Sequence, residues 1–168
     1  MAESDIRLRP IGVIRTPHKE AAGTPIQPRF AEGAEGSVQV FPEYAEGLAD
    51  LAGFDRVWLL YRFDRVRDVR LKVTPYLDTE PRGLFATRAP CRPNPIGLSC
   101  VRLLLVEGAL LRIADVDMLD GTPLLDIKPY CPRFDCYEAR RCGWLDDVDA
   151  GGGVADGRFH DKAGPTGD

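Results

Sequence analysis

Three stretches of this 168-residue chain combine proline and glycine with side chains able to do chemistry. The first runs from Thr16-Pro-His-Lys19 to Gly23-Thr-Pro-Ile-Gln27. The second is Phe85-Ala-Thr-Arg-Ala-Pro-Cys-Arg-Pro-Asn-Pro-Ile-Gly-Leu-Ser99, and the third is Asp117-Met-Leu-Asp-Gly-Thr-Pro123. Proline fixes φ and glycine admits positive φ, so such stretches read as stiff connectors between strands. They carry guanidinium forks at Arg88 and Arg92, suited to carboxylate or phosphate, and the carboxylates Asp117 and Asp120, suited to a cation. Asn94, held between Pro93 and Pro95, offers an amide oxygen to a reacting group; the plainer reading is a turn residue. His18 could act as a general base only with a neighbour to tune it, and otherwise it is a loop residue.

The five cysteines suit reduced thiols better than a disulfide framework. Cys131-x4-Cys136-x5-Cys142 is looser than the compact cysteine pairs of structural zinc sites, so no structural metal is expected.

The elements that must position these connectors are short strands. Ile11–Ile14 and Gly36–Val40 flank the first stretch. Pro42–Gly53 has Pro at a helix start and apolar residues at helical spacing, which predicts one short helix. Phe54–Phe63 reads as a buried strand and Val69–Val73 as an alternating one. Pro81, Pro90, Pro93 and Pro95 forbid a central strand or helix over Asp78–Pro95, which is expected outside the core. Ile96–Val106 and Leu110–Val116 predict a hairpin, followed by a strand at Leu124–Ile127. Many short strands without strand–helix alternation predict a mainly β fold, a single small antiparallel β-barrel with long Pro/Gly-rich functional loops.

Composition sets the bounds. An apolar share of 44% and a charged share of 29% are those of one globular domain. The first residues, Met1–Pro17, lack the basic start and apolar run typical of a secretory signal, and no run approaches the ~20 apolar residues of a membrane helix, so a cytoplasmic location and no membrane partner are expected. The net charge of −4 resides in residues 143–168, where six Asp face Arg158 and Lys162. That Gly/Asp-rich stretch is expected to be a disordered tail after a domain spanning 1–142. Between Arg56 and Arg92, nine Lys/Arg stand against four Asp/Glu, an excess able to follow a phosphate backbone.

The run Thr87-Arg-Ala-Pro-Cys-Arg-Pro-Asn-Pro-Ile-Gly-Leu-Ser99 resembles a signature of the TsaA-like, or TrmO, family. The other two stretches and Asp126-Ile-Lys-Pro-Tyr130 look like its remaining motifs in order, so the resemblance covers roughly residues 8–135. It implies a small β-barrel that forms a homodimer and binds S-adenosylmethionine in loops near the subunit interface. For bacterial members it implies methylation of tRNA at N6 of a threonylcarbamoyl-modified adenosine, position 37, just 3′ of the anticodon.

On matching positions, the resemblance implies cofactor contacts at Pro25, Ile26, Gln27, Arg88, Leu98, Asp117, Met118, Leu119, Asp120, Gly121 and Thr122. Asp64 and Arg65 occupy a further matching place, although the family more often has His where this chain has Asp64. Arg88 is expected to hold the cofactor carboxylate. The catalytic candidates are Asn94, accepting a hydrogen bond from the substrate nitrogen, and Arg92. Arg92, Arg62 and Arg65 are candidates for tRNA phosphates or the threonyl carboxylate. Two competing readings are methyl transfer to a small molecule and a non-catalytic RNA- or ligand-binding barrel.

Overall fold

The computed structural model describes residues 6–148 and 153–160. Its strands in chain order are β1 (Gly12–Arg15), β2 (Glu35–Val40), β3 (Arg56–Arg62), β4 (Lys72–Val73), β5 (Arg82–Gly83), β6 (Ile96–Glu107), β7 (Leu110–Ala114) and β8 (Thr122–Pro129). Six of them close into a barrel in the order β1-β2-β7-β6-β3-β8, antiparallel throughout, while β4 and β5 form a separate two-stranded sheet. Closure removes the exposed edges that an open sheet of such short strands would present.

The core is the barrel interior, filled by fully buried Ile14, Val38, Val57, Leu59, Val101, Leu111, Ile113 and Leu124. Period-two alternation sends every second residue inward, which is why β3 buries Val57, Leu59 and Tyr61 and leaves Trp58 and Leu60 on the outer face. The apolar-rich stretch Phe54–Phe63 is therefore not a strand buried on both faces. The β6–β7 hairpin forms as expected: Glu107 pairs with Leu110, and Gly108 takes φ +58 in the two-residue turn.

The expected short helix over Pro42–Gly53 forms as two 3-10 helices, Pro42–Leu48 and Leu51–Gly53, parted by Asp50 at φ +65. Two expectations are corrected. Of Val69–Val73 only Lys72–Val73 is strand, because β5 opposite it is just two residues long, and Val69 and Leu71 are exposed. The proline-rich Asp78–Pro95 does contribute to a core: Leu84, Ala89 and Cys91 bury with Val73 and Phe159 in a second, smaller cluster. Proline constrains the backbone of that loop but not the direction of its intervening side chains.

Part of the acidic C-terminal stretch lies within the described residues. Gly143–Asp147 is a 3-10 turn, and residues 153–160 lie against the first Pro/Gly loop and the second cluster. Residues 149–152 and 161–168 of the expected tail lie outside the described residues. None of the five cysteines is in a disulfide, and among the described residues no three His, Cys, Asp or Glu converge as a metal site would require. No described helix is long and apolar enough to cross a membrane.

Candidate active-site cleft

The three Pro/Gly stretches converge at one end of the barrel around a cleft of about 820 Å³, a size that suits a cofactor-sized ligand. Its floor is made by β3 and β6. The Tyr61 ring lies directly over Gly97, where any Cβ would overlap it, so glycine at 97 is what lets the two strands pack there. Tyr61 Oη lies 3.0 Å from Ser99 Oγ, and Ser99 Oγ donates to Asp117 Oδ1 at 2.6 Å. Burial pushes the Asp117 carboxyl up to about 7, against the opposing pull of the Ser99 hydrogen bond and the Arg88 charge. The same burial, reinforced by Asp117, drives the Tyr61 phenol up, so it stays a neutral donor at physiological pH.

One wall is the turn after β7. Thr16, itself buried, donates through Oγ1 to Met118 O at 2.9 Å, and Thr122 Oγ1 donates to Leu119 O at 2.7 Å. Asp120 reaches the other way, accepting from Thr16 N at 3.1 Å and from Lys19 Nζ at 2.7 Å. These bonds hold its carboxyl below the usual range, the Lys19 hydrogen bond most of all. Arg65 ties the same two loops, donating to Lys19 O at 3.0 Å and Asp120 O at 2.6 Å. The His18 ring nitrogen Nε2 sits 2.9 Å from Val116 O, which makes it a donor fixing the loop.

The opposite wall is the arginine-bearing loop. Arg92 donates to Thr87 O at 3.0 Å, and at longer range to Ala89 O and Leu84 O, with its guanidinium over the Phe85 ring. Arg92 thus shapes its own loop. Among the described residues Arg88 makes one hydrogen bond, to Gln27 Oε1 at 2.6 Å, which leaves most of its five donors for a ligand. Asn94 is exposed at the tip, where its carbonyl accepts from Ile96 N at 2.7 Å in a tight turn.

Of the expected site residues, Pro25, Ile26, Gln27, Asp64, Arg65, Arg88, Arg92, Leu98, Asp117, Met118, Leu119 and Thr122 all line the cleft. Asp120, Gly121 and Asn94 do not. Asp120 and Gly121 sit on the side of the turn that bonds to the first loop, with Gly121 N donating to Ile14 O at 2.8 Å. Sequence reasoning missed Ser99 and Tyr61 as the pair that orients Asp117. It also missed Trp144 and Phe159, which line the cleft from the C-terminal stretch. Ser99 closes the second stretch and was legible there as a hydroxyl, whereas nothing local marks Tyr61 within an apolar run.

Residues 13–136 match the model of the tRNA-methyltransferase O N-terminal domain. A probable S-adenosyl-L-methionine-binding protein of Pyrococcus abyssi is 56% identical over 138 residues, 82% of this chain and 75% of its own length. The tRNA (adenine(37)-N6)-methyltransferase of Escherichia coli is 37% identical over 139 residues, covering 77% of this chain and 59% of the relative. The crystal structure of TrmO from Pseudomonas aeruginosa superposes with a TM-score of 0.70 at 38% identity, covering 83% of this chain and 62% of that one. The chain thus spans less than two thirds of the Escherichia coli relative and of the solved Pseudomonas structure.

Proposed function

Because this chain belongs to the tRNA-methyltransferase O family, we propose that it is an S-adenosylmethionine-dependent N-methyltransferase acting on N6 of adenine 37 in tRNA, with the threonylcarbamoyl-modified base as acceptor. The observation that carries this reading is the pairing, in one apolar-walled cleft, of a guanidinium with free donors and a half-buried carboxyl poised near neutrality. Arg88 suits the carboxylate of the methyl donor, and Asp117 suits its positive charge. Ile26, Phe85 and Leu98 supply apolar walls between those two polar ends.

When bound, S-adenosylmethionine supplies an electrophilic methyl on a sulfonium. The chain's own residues contribute placement above all, because such a transfer requires two reactants held close and in line. Tyr61 and Ser99 fix the orientation of Asp117. With its carboxyl near 7, Asp117 is ionised in part at working pH and can take the proton the acceptor nitrogen gives up. Asn94 lies outside the lining, at the exposed tip two residues from both Arg92 and Ile96, and is assigned to meet the acceptor base at the mouth of the cleft.

Exposed Arg62, Arg67 and Arg70 beside the cleft support tRNA as the acceptor, as a basic face suits a phosphate backbone. Arg65 and Arg92 are committed to loop carbonyls and act as positioning residues. Exposed Ile96, Leu98, Leu104 and Leu105 along β6 support a homodimer that covers this face, in a cytoplasmic protein whose barrel domain ends near residue 142.

The test is to incubate the chain with methyl-labelled donor and bulk tRNA, with and without the threonylcarbamoyl modification, at two salt concentrations. Label on N6 of modified adenosine, falling with salt, is expected. Label on a small molecule, or no transfer to tRNA, contradicts the reading.

A further inference from the structure

The segment beyond the family match is built into the cleft rather than trailing from the barrel. Gly23 N donates to Ala155 O at 2.8 Å, Ala155 N to Thr24 O at 2.7 Å and Ile26 N to Gly153 O at 3.1 Å, an antiparallel bridge centred on Pro25 and Val154. Gly153 packs so closely on Ile26 that a Cβ there would overlap its side chain. Farther along, Arg158 donates to Thr74 O and Pro75 O and lies over the Tyr76 ring, while buried Phe159 meets the same ring edge-on at 5.0 Å. Ala155 and Phe159 line the cleft, as does Tyr76.

We propose that residues 153–160 form an intramolecular strap that completes the methyl-donor pocket, with Phe159 as a wall of that pocket and Tyr76 as a ligand-binding residue beneath it. The proposal rests on the reading of this cleft as the S-adenosylmethionine site. Two independent observations carry it. First, the strap is bonded to the backbone of residues 23–26, and the next residue, Gln27, holds Arg88. The strap therefore positions the guanidinium through the loop it supports. Second, Tyr76 Oη is buried and has no hydrogen-bond partner among the described residues. A buried hydroxyl without a partner is rare, and a polar atom of a ligand in the cleft would satisfy it. The family domain ends at residue 136, so these contacts are supplied from outside it.

The experiment measures equilibrium binding of S-adenosylmethionine to the full chain and to three full-length variants. Ala155→Pro removes the N–H that bonds Thr24, Phe159→Ala removes the buried ring, and Tyr76→Phe removes only the hydroxyl. The first two are expected to weaken binding about tenfold or more, and the third about fivefold with unchanged thermal stability. All three within about twofold of the parent, or any tighter than it, overturn the proposal.

Trypsin cleavage of the unaltered chain after Arg158 gives a second readout that needs no variant to fold. Saturating donor should slow that cut about fivefold or more, as ligand-linked closure requires. An unchanged rate overturns the strap. If the unaltered chain binds no donor at all, the methyl-donor reading itself fails. If it binds while the variants bind equally well, only the strap does.

Discussion

The two walls of the cleft are built on opposite plans. The turn after β7 is braced within itself by the Thr122 hydroxyl and tied to the loop after β1 from several directions: the Thr16 hydroxyl donates to Met118 O, Asp120 accepts from Thr16 N and Lys19, and Arg65 bridges both loops. Across the cleft, Arg92 and Thr87 brace the backbone of the loop, yet among the described residues Arg88 has one bond, and Phe85 is 74% exposed. A wall whose polar groups are already satisfied is preorganised and has little left to offer a ligand. A wall with free donors binds, and its geometry sharpens on binding. Binding energy and positioning are thus divided between different residues, although both sets sit in motifs of equal prominence in the sequence.

That division is open to a direct attack. Arg88→Ala should weaken S-adenosylmethionine binding about 100-fold, near 2.7 kcal/mol, while moving folding stability by under about 0.5 kcal/mol; calorimetry and urea unfolding on one preparation check both. Gly97→Ala strikes the floor that both walls share. It should destabilise the chain by about 2 kcal/mol, because the Tyr61 ring cannot keep its place above an added methyl. Equal stability in urea would show the floor to be softer than its packing implies.

Asp120→Ala should show the reverse of the Arg88 pattern. It unties Thr16 N and Lys19 from the turn, at a cost of about 1.5 kcal/mol in stability and only a few-fold in donor affinity. A loss of affinity larger than that of Arg88→Ala would invert the two walls.

A separate effect is in pH. With Asp117 pushed up to about 7 by burial, the folded chain holds a proton that the unfolded chain has already released. Stability should therefore fall as pH rises from the ordinary carboxylate range through about 7, and Asp117→Asn should flatten that fall. In the same interval the ionising carboxylate should favour the cationic donor over its neutral demethylated product, by at most about tenfold per pH unit. A preference independent of pH between 6 and 8 would place the charge of Asp117 away from the sulfonium.

Much of this architecture was legible in the sequence, for identifiable reasons. The β6–β7 hairpin followed from two apolar runs around a glycine turn, and the barrel from many short strands without intervening helices. The three connectors were visible because proline and glycine announce rigid backbone, and they do meet at one cleft.

What stayed hidden depends on distance in sequence. Tyr61, Ser99 and Asp117 form one hydrogen-bonded row across three strands or turns, which no local pattern reveals. Asp117 and Asp120 looked equivalent three residues apart, yet one faces the cleft and the other the loop behind it. Residues 153–160 look like a solvated acidic end by composition. Their order comes from bonds to residues about 130 positions earlier, Ala155 to Thr24 among them.

Equilibrium dialysis of labelled S-adenosylmethionine against the full chain and its Arg88→Ala variant tests whether this cleft holds the methyl donor through Arg88. About one molecule retained per chain at micromolar donor, with retention lost in the variant, is the predicted result. No retention by the unaltered chain, or equal retention by both proteins, would contradict the assignment of this cleft and of Arg88 as its binding group.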